Sequence, residues 1–154
     1  MRIVVLVGLP ASGKSTYLEQ VAVGGLSSDA VRRLLADDET DQSIHVQVFQ
    51  TLRYLLEQRL AIKRPVTYVD ATSLTPEERR PYVEIGRAWD CEVEAVFLDV
   101  PLEICMARNA GRARKVPEEA MMKMAIKLVP PSTDEGFARV TVVRFGLAEG
   151  QASG

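Results

Sequence analysis

A glycine-rich segment near the start of the chain constrains the fold more than any other feature of the sequence. Residues 8–15 read GLPASGKS and match the pattern GxxxxGK[ST] at every fixed position. The apolar run Ile3 to Val7 precedes the segment, and Lys14 to Val23, with apolar residues at helical spacing, follows it. A strand, a glycine-rich turn and a helix in this order open a parallel β–α–β unit. The chain is therefore predicted to fold around a parallel sheet.

The chemistry of this segment explains its spacing. Glycines let the backbone curl so that successive N–H groups point inward at phosphate oxygens, and a helix N-terminus adds partial positive charge. Lys14 is expected to reach the β- and γ-phosphates and the Ser15 hydroxyl to bind Mg²⁺. An ordinary glycine-rich turn is the competing interpretation, and the flanking strand and helix argue against it. The residues predicted to bind ATP with Mg²⁺ are Gly8, Pro10, Ala11, Ser12, Gly13, Lys14, Ser15 and Thr16.

The rest of the chain alternates between strand-like and helix-like segments. The strand-like segments are short, continuous and rich in β-branched residues, as in strands buried on both faces: Val66 to Val69, Val93 to Leu98 and Val140 to Val143. The segment Val21 to Ser28 is short and glycine-rich, so a strand there is expected to be minimal. Helical stretches are predicted over 44–63 and 75–89, and from Pro101 and Pro117. The second of these helices is predicted to begin with Thr75 as N-cap, Pro76 in the first turn and Glu78 as the capping-box glutamate. The predicted fold class is α/β, with a parallel sheet of four or five strands flanked by helices.

Composition excludes several other classes of protein. With 154 residues, 47% of them hydrophobic, and a net charge of −2, the chain is neither disordered nor strongly basic. We expect a single domain over residues 1–154 with a frayed tail at 149–154. Cys91 and Cys105 lack CxxC spacing, which argues against a zinc site and favours free thiols in the cytoplasm. No apolar run approaches about 20 residues, so no membrane partner is expected.

The type of nucleotide-binding protein follows from what accompanies the glycine-rich segment. The sequence contains neither an NKxD motif nor a DxxG motif, which argues against a GTPase. Motor and AAA ATPase modules are usually larger and need partner subunits. A small kinase is the natural class at this length, and it requires a base for the acceptor hydroxyl and a basic lid over the phosphates.

Asp29 is the candidate base and lies in the segment Ser28-Asp29-Ala30-Val31-Arg32. It follows a short apolar run, which would place it at the carboxyl end of the sheet, where open α/β sheets bind ligands. Asp29 and Arg32 are three residues apart at a helix start, so both can face one pocket. A carboxylate can accept the hydroxyl proton while the guanidinium binds an anionic group of the substrate. The alternative is an N-cap aspartate with a solvated arginine.

Two further groups of charged residues complete the predicted site. Asp70 ends the run Val66 to Val69, where a carboxylate can hold Mg²⁺ through water; the alternative is a turn aspartate. Residues 108–115 read RNAGRARK and carry four cations and no acid. Arg108 and Arg112 are predicted to share one helical face and to form an arginine lid, within about 108–130, over the transferring phosphoryl group. A solvated basic helix end is the alternative. The single histidine, His45, is expected to be exposed or packed rather than catalytic.

Together these segments resemble the kinase domain of the polynucleotide 5′-hydroxyl kinases of phage and bacterial RNA repair, within the broader AAA_33-like P-loop kinases. The resemblance runs from about residue 2 to 145. It rests on the glycine-rich segment and on these others: Ser28 to Arg32, Asp70 to Arg80, Asp99-Val100-Pro101, Arg108-Asn109 with Arg112, Val116 to Glu119, Pro130-Pro131, and Asp134 to Phe137.

The resemblance implies a role for each matching residue. Lys14 and Ser15 would hold ATP and Mg²⁺, and Asp29 would be the general base for a 5′-hydroxyl of RNA or DNA. Arg32 would contact the acceptor phosphate on the 3′ side of the attacking ribose. Asp70 would support the metal and substrate site. Arg108 and Arg112 would belong to the lid, with Arg112 on the transferring phosphate and therefore catalytic together with Asp29 and Lys14.

The resemblance leaves other functions open. In this family the kinase is often fused to a phosphatase, phosphohydrolase or ligase module, so a fused or separate repair module is an expected partner. A small-molecule kinase of the same fold, acting on a sugar, nucleoside or antibiotic hydroxyl, would use the same Asp29 and arginine chemistry. A regulatory module that binds nucleotide without an acceptor is the second alternative. The sequence leaves open the donor preference, the adenine pocket and the oligomeric state.

Overall fold

The computed structural model describes residues 1–21, 25–113 and 115–144. Predictions for residues 22–24, for Arg114, for the adenine pocket after Arg144 and for the tail at 149–154 lie outside the described residues. The strands are β1 (Arg2–Val7), β2 (Gly25–Ser27), β3 (Val66–Asp70), β4 (Glu92–Asp99) and β5 (Arg139–Arg144). The helices are α1 (Lys14–Val21), α2 (Ser28–Ala36), α3 (His45–Ala61), α4 (Pro76–Ala88), α5 (Leu102–Ala110) and α6 (Glu118–Lys127). The predicted α/β fold class is confirmed.

All five described strands form one parallel sheet in the order β2-β3-β1-β4-β5. The central strand β1 therefore lies between β3 and β4, and β2 lies beyond β3. In this register Asp70 pairs with Leu6 of β1 on one side and with Ser27 of β2 on the other. The carboxyl ends of β1, β2 and β3 therefore meet, which brings the glycine-rich loop, Asp29 and Asp70 to one edge of the sheet.

Strands β1, β3 and β4 are buried on both faces over most of their length, which explains their continuous apolar runs. The edge strand β5 has no buried residue, so the expectation of burial on both faces is wrong for Val140 to Val143, because an edge strand has a neighbour on one side only. Alternate residues of β1 divide between two clusters, because successive side chains of a strand point to opposite faces. Ile3, Val5 and Val7 pack with residues of α3 and α4, whereas Val4 and Leu6 pack with residues of α1. A third cluster joins Cys105 of α5 and Met121 of α6 to Leu9 in the glycine-rich loop. The helices that follow β4 are thereby attached to the edge of the sheet that carries the glycine-rich loop.

Helix α4 begins as its sequence predicts, with one difference. The Thr75 side chain accepts a hydrogen bond from the Glu78 N–H at 3.2 Å, and proline occupies the first turn. The predicted capping-box glutamate, Glu78, accepts from the N–H of Leu74 at 2.9 Å rather than from that of Thr75. Its other oxygen lies 2.6 Å from the Lys127 ammonium, so the side chain ties the start of α4 to the end of α6.

A buried ion pair fixes the loop that follows β3. Arg79 is fully buried, and its guanidinium donates two hydrogen bonds of 2.8 Å to the carboxylate of Glu135. Its third nitrogen donates to the carbonyl of Ser73 at 2.8 Å, where the backbone has a positive φ of 49°. Glu135 belongs to a short 3-10 helix (Thr133–Glu135) between α6 and β5. The pair therefore joins the loop after β3 to the segment that follows α6.

No helix within the described ranges 1–21, 25–113 and 115–144 is long and apolar enough to cross a membrane.

Candidate active site

The glycine-rich loop adopts a curled backbone that its sequence permits. Ala11 and Gly13 have positive φ values of 64° and 104°, the left-handed region in which glycine is least strained. A Cβ on Gly8 would lie 2.5 Å from the Ser12 hydroxyl and 3.3 Å from Leu98, so this position requires glycine for close approach. Gly8 contributes conformation and a carbonyl, and it does not line the cleft that its neighbours from Pro10 to Thr16 form.

Lys14 lies at the first turn of α1 and is buried under the loop. Its ammonium donates to the carbonyls of Gly8 at 3.0 Å and Leu9 at 2.8 Å. Burial lowers the pKa of this lysine to about 8, because the charged form loses hydration; the carboxylates of Asp70 and Asp29 oppose that shift, and Arg112 adds to it. Because the charges of Asp29, Asp70 and Arg112 all shift the pKa of Lys14, these three groups interact electrostatically with its ammonium.

This lowered pKa predicts a pH-dependent nucleotide affinity. ATP phosphates favour charged Lys14, so the bound state has the higher lysine pKa, and binding must take up a proton once pH exceeds about 8. Affinity is therefore full below pH 8 and falls by up to about tenfold per pH unit above it. Phosphate groups, with a pKa of about 6, contribute little in this range.

Calorimetry of ADP binding at pH 7 and pH 9, in buffers of different ionisation enthalpy, measures this proton uptake directly. In Lys14→Met the uptake should disappear and the pH dependence should flatten. Equal affinities at both pH values without proton uptake would contradict the prediction.

Ser15 and Asp70 offer oxygen ligands suited to Mg²⁺. The Ser15 hydroxyl donates to the Asp70 carboxylate at 3.2 Å, across the ends of α1 and β3. Asp70 is the last residue of β3 and only 9% exposed, and burial raises its carboxyl pKa while Lys14 and the Ser15 hydrogen bond oppose that shift. The described residues hold no group of three or more His, Cys, Asp or Glu that could bind a metal. One hydroxyl and one carboxylate fit Mg²⁺, which keeps several waters and uses substrate phosphates as ligands.

Asp29 and Arg32 face each other at the start of α2. The N-cap of this helix is Ser27, whose hydroxyl accepts from the N–H of Ala30 at 3.2 Å, so Asp29 is not the N-cap. The Asp29 carboxylate accepts a hydrogen bond of 3.1 Å from Arg32. The Asp29 side chain is 48% exposed, whereas that of Arg32 is 6% exposed. Both residues line the cleft, as predicted for a carboxylate and a guanidinium that share one pocket.

The Arg32 guanidinium is incompletely paired within the described residues. Its Nε atom is buried and has no hydrogen-bond partner there. A buried donor without a partner is costly, and an arriving anion would satisfy it with a charge-assisted hydrogen bond.

The basic segment, residues 108–115, contacts the glycine-rich loop, but its arginines Arg108 and Arg112 do not lie on one helical face. Arg108, in the last turn of α5, donates to the carbonyl of Ala11 at 3.2 Å. Helix α5 ends at Ala110, and Gly111 is its C-cap, so Arg112 lies beyond the helix. The prediction of one face shared by Arg108 and Arg112 is therefore wrong, because glycine ends the helix between them. Both side chains nevertheless line the cleft, and Nη1 of Arg112 is buried without a partner among the described residues.

Asn109 shapes the turn that carries Arg112, and the sequence alone did not assign it this role. Its side-chain amide donates to the carbonyl of Val116 at 2.7 Å and accepts from the Val116 N–H at 2.9 Å. The residue is only 4% exposed. These two bonds close the segment between α5 and α6, and Arg112 is held in that segment. A polar residue in the last turn of a helix, shortly before Val-Pro, is a weak signal for such a closure.

The site as a whole is a cleft of about 1450 Å³. This volume exceeds the 300–1,000 Å³ typical of a pocket for one small ligand, so the cleft has room for a donor and an acceptor. The cleft is lined by the glycine-rich loop and by Arg108, Arg112 and Lys115. Asp29, Arg32 and residues of α3, including His45 and Phe49, also line it. His45 is exposed, as expected, and its ring centroid lies 4.7 Å from that of Phe49.

A family model described as an AAA domain, AAA_33, matches residues 3–131. The chain belongs to this family, and its fold is that of the P-loop kinases. That fold implies a nucleotide site at the glycine-rich loop.

Curated relatives differ in the acceptor that their names describe. The chain is 27% identical over 138 residues to an L-seryl-tRNA(Sec) kinase of Methanococcus maripaludis. It is also 27% identical over 150 residues to a bifunctional polynucleotide phosphatase/kinase of Schizosaccharomyces pombe, which confirms the resemblance to polynucleotide kinases. The alignments include 85% and 93% of this chain, but the chain spans only 54% and 33% of these relatives.

A solved structure adds a third kind of kinase. A sugar kinase from Janibacter sp. HTCC2649 superposes with a TM-score of 0.67 at 19% identity, over 94% of this chain and 85% of that one. At this identity the likeness supports the fold alone. The relatives are thus kinases for a tRNA-bound seryl group, a polynucleotide and a sugar, and they leave the acceptor of this chain to be argued from its site.

Proposed function

We propose that this protein transfers the γ-phosphoryl group of ATP to the 5′-hydroxyl end of RNA or DNA. The observation that carries the proposal is the Asp29–Arg32 pair, which sets a buried, incompletely satisfied guanidinium 3.1 Å from an exposed carboxylate. A 5′-hydroxyl polynucleotide carries a phosphate on the 3′ side of its first ribose. Such an acceptor presents a hydroxyl to Asp29 and an anion to Arg32 at the same time, which a neutral sugar or nucleoside does not.

The proposed reaction uses each group according to its position. Asp29 accepts the proton of the attacking hydroxyl, and the hydroxyl oxygen forms a bond to the γ-phosphorus as the bond to the β–γ bridging oxygen breaks. Lys14 and Arg112 neutralise charge on the transferring group, and Arg108 holds the lid segment against the loop through Ala11. Ser15 and Asp70 would hold Mg²⁺, which supplies charge neutralisation on the phosphates when bound. ADP and a 5′-phosphorylated strand leave.

The S. pombe relative supports one further part of the proposal. Its name joins a phosphatase to a kinase, and the present chain matches only 33% of its length. We therefore propose that a phosphatase or another end-repair module, fused or separate, acts with this kinase.

Phosphoryl transfer from γ-labelled ATP with Mg²⁺ tests the acceptor class. The acceptors are a 5′-hydroxyl oligonucleotide, the same strand with a 5′-phosphate, tRNA charged with serine, and a mixture of nucleosides and sugars. Label on the 5′-hydroxyl strand alone is the expected result. Arg32→Gln should raise the KM for that strand, whereas Arg33→Gln, an exposed neighbour on α2, should not.

The other outcomes each select a different function. Label only on the seryl-tRNA would transfer the proposal to an aminoacyl acceptor, as in the Methanococcus relative. Label only in the small-molecule mixture would make the protein a metabolite kinase. ATP binding without label on any acceptor would favour a regulatory module.

A further inference from the structure

One face of α3 lines the cleft beside the Asp29–Arg32 pair. His45, Phe49 and Arg53 are spaced four residues apart, so they lie along one side of the helix over about 12 Å. All three line the same cleft as Asp29 and Arg32. The face therefore offers two aromatic rings followed by a cation, in a row.

The two aromatic residues of this face, His45 and Phe49, differ in burial. Phe49 is partly buried and packs against the main apolar cluster of the sheet. The His45 ring lies against it, with a centroid separation of 4.7 Å and an interplanar angle of 44°, and His45 itself is exposed. As a purely structural feature, an aromatic pair at this spacing stabilises a helix by only about 0.2–0.5 kcal/mol. An exposed ring that packs against a partly buried one is also a stacking surface.

Stacking on aromatic side chains suits a nucleobase because every base has a π-face. A guanidinium one turn further on suits a backbone phosphate. Single-stranded nucleic acids are bound by this combination of aromatic rings and cations. A single sugar bound at Asp29 is too small to contact a row of side chains about 12 Å long.

We infer that the face of His45, Phe49 and Arg53 binds the acceptor strand, with a nucleobase of its 5′ end stacked on the His45–Phe49 pair. The inference rests on the proposed function and deepens it, since it assigns the acceptor to single-stranded ends. Arg32 holds the phosphate next to the reacting ribose, and Arg53 contacts a phosphate further along the strand. Recognition by stacking makes the enzyme tolerant of base identity at the stacked position.

Steady-state kinetics with intact and abasic 5′-hydroxyl oligonucleotides test the inference. His45→Ala is expected to raise the KM for an intact strand by about 5- to 150-fold. The KM for ATP should change by less than about twofold, because the substitution removes an acceptor contact only. His45→Phe keeps an aromatic surface and should restore the low KM. Gln47→Ala, at an exposed position of α3 that does not line the cleft, is the matched control.

Abasic substitution separates stacking from a structural effect. Abasic residues placed singly at the first three nucleotides should include one position at which unchanged protein and His45→Ala have the same KM. Phe49→Leu, which retains apolar packing, should reproduce part of the loss.

Two failures are distinguishable. If the unchanged protein labels no oligonucleotide, the proposed function fails and the strand-binding face with it. If the unchanged protein labels the strand and His45→Ala leaves its KM unaltered, the stacking inference alone is overturned.

Discussion

Asp29→Asn is expected to lower phosphoryl transfer to a 5′-hydroxyl oligonucleotide by about 10²- to 10⁴-fold, the range that a positioned general base contributes. The amide keeps the shape of the side chain but does not accept the hydroxyl proton. ADP affinity should change little by comparison, since Lys14 is held by the carbonyls of Gly8 and Leu9 rather than by Asp29. Single-turnover transfer and calorimetric ADP binding measure the two quantities separately.

Asp37→Asn is the matched control for this change. Asp37 is exposed at the C-cap of the same helix, α2, and does not line the cleft. Its φ of 59° is in the left-handed region, which asparagine tolerates well. The control removes the same charge and should leave transfer unchanged. A loss of less than about tenfold in Asp29→Asn would exclude Asp29 as the general base.

Arg79→Met is expected to destabilise the fold by about 3–5 kcal/mol, the range found when one partner of a buried ion pair is removed. The substitution leaves the Glu135 carboxylate, only 15% exposed, without its guanidinium, and it removes the hydrogen bond to the Ser73 carbonyl. Because Ser73 lies three residues after Asp70, the loop that follows β3 should become more mobile as well. Urea unfolding, with a check that the m-value is unchanged, measures the effect.

Arg80→Met is the control for the ion pair. Arg80 is exposed and adjacent in sequence, and its replacement should change the unfolding free energy by less than about 0.5 kcal/mol. The double variant Arg79→Met, Glu135→Met should recover part of the lost stability, because no buried charge remains unpaired. If the free energy of unfolding of Arg79→Met lies within about 1 kcal/mol of that of the unchanged protein, the ion pair contributes less to stability than its burial implies.

Several features of the site could be predicted because they depend on residues close together in the chain. The glycine-rich segment needs only the strand before it and the helix after it, and Lys14 and Ser15 follow from that spacing. The Asp29–Arg32 pair needs only one helical turn, and the structure brings the two to 3.1 Å. The N-cap of α4 at Thr75 is equally local.

Other features could not be predicted because they depend on distant segments. Arg79 and Glu135 are 56 residues apart, and each reads in the sequence as an ordinary surface charge. The Asn109 side chain is hydrogen-bonded to Val116, seven residues further along the chain. The prediction that Arg108 and Arg112 share one helical face failed because α5 ends before Arg112. Helical periodicity assumes that a helix continues, and Gly111 ends it.

By itself the sequence determined the class of fold, the glycine-rich loop between β1 and α1, and the contact between Asp29 and Arg32. Each of these arises from interactions within a few residues: backbone conformation, helix capping and the alternation of buried strands with amphipathic helices. The tertiary structure alone decided the strand order, which pairs Asp70 with Leu6 and Ser27 and so gathers three strand ends into one site. It alone also placed His45 and Phe49 beside that site, because the packing of α3 depends on burying apolar faces of segments distant in the chain.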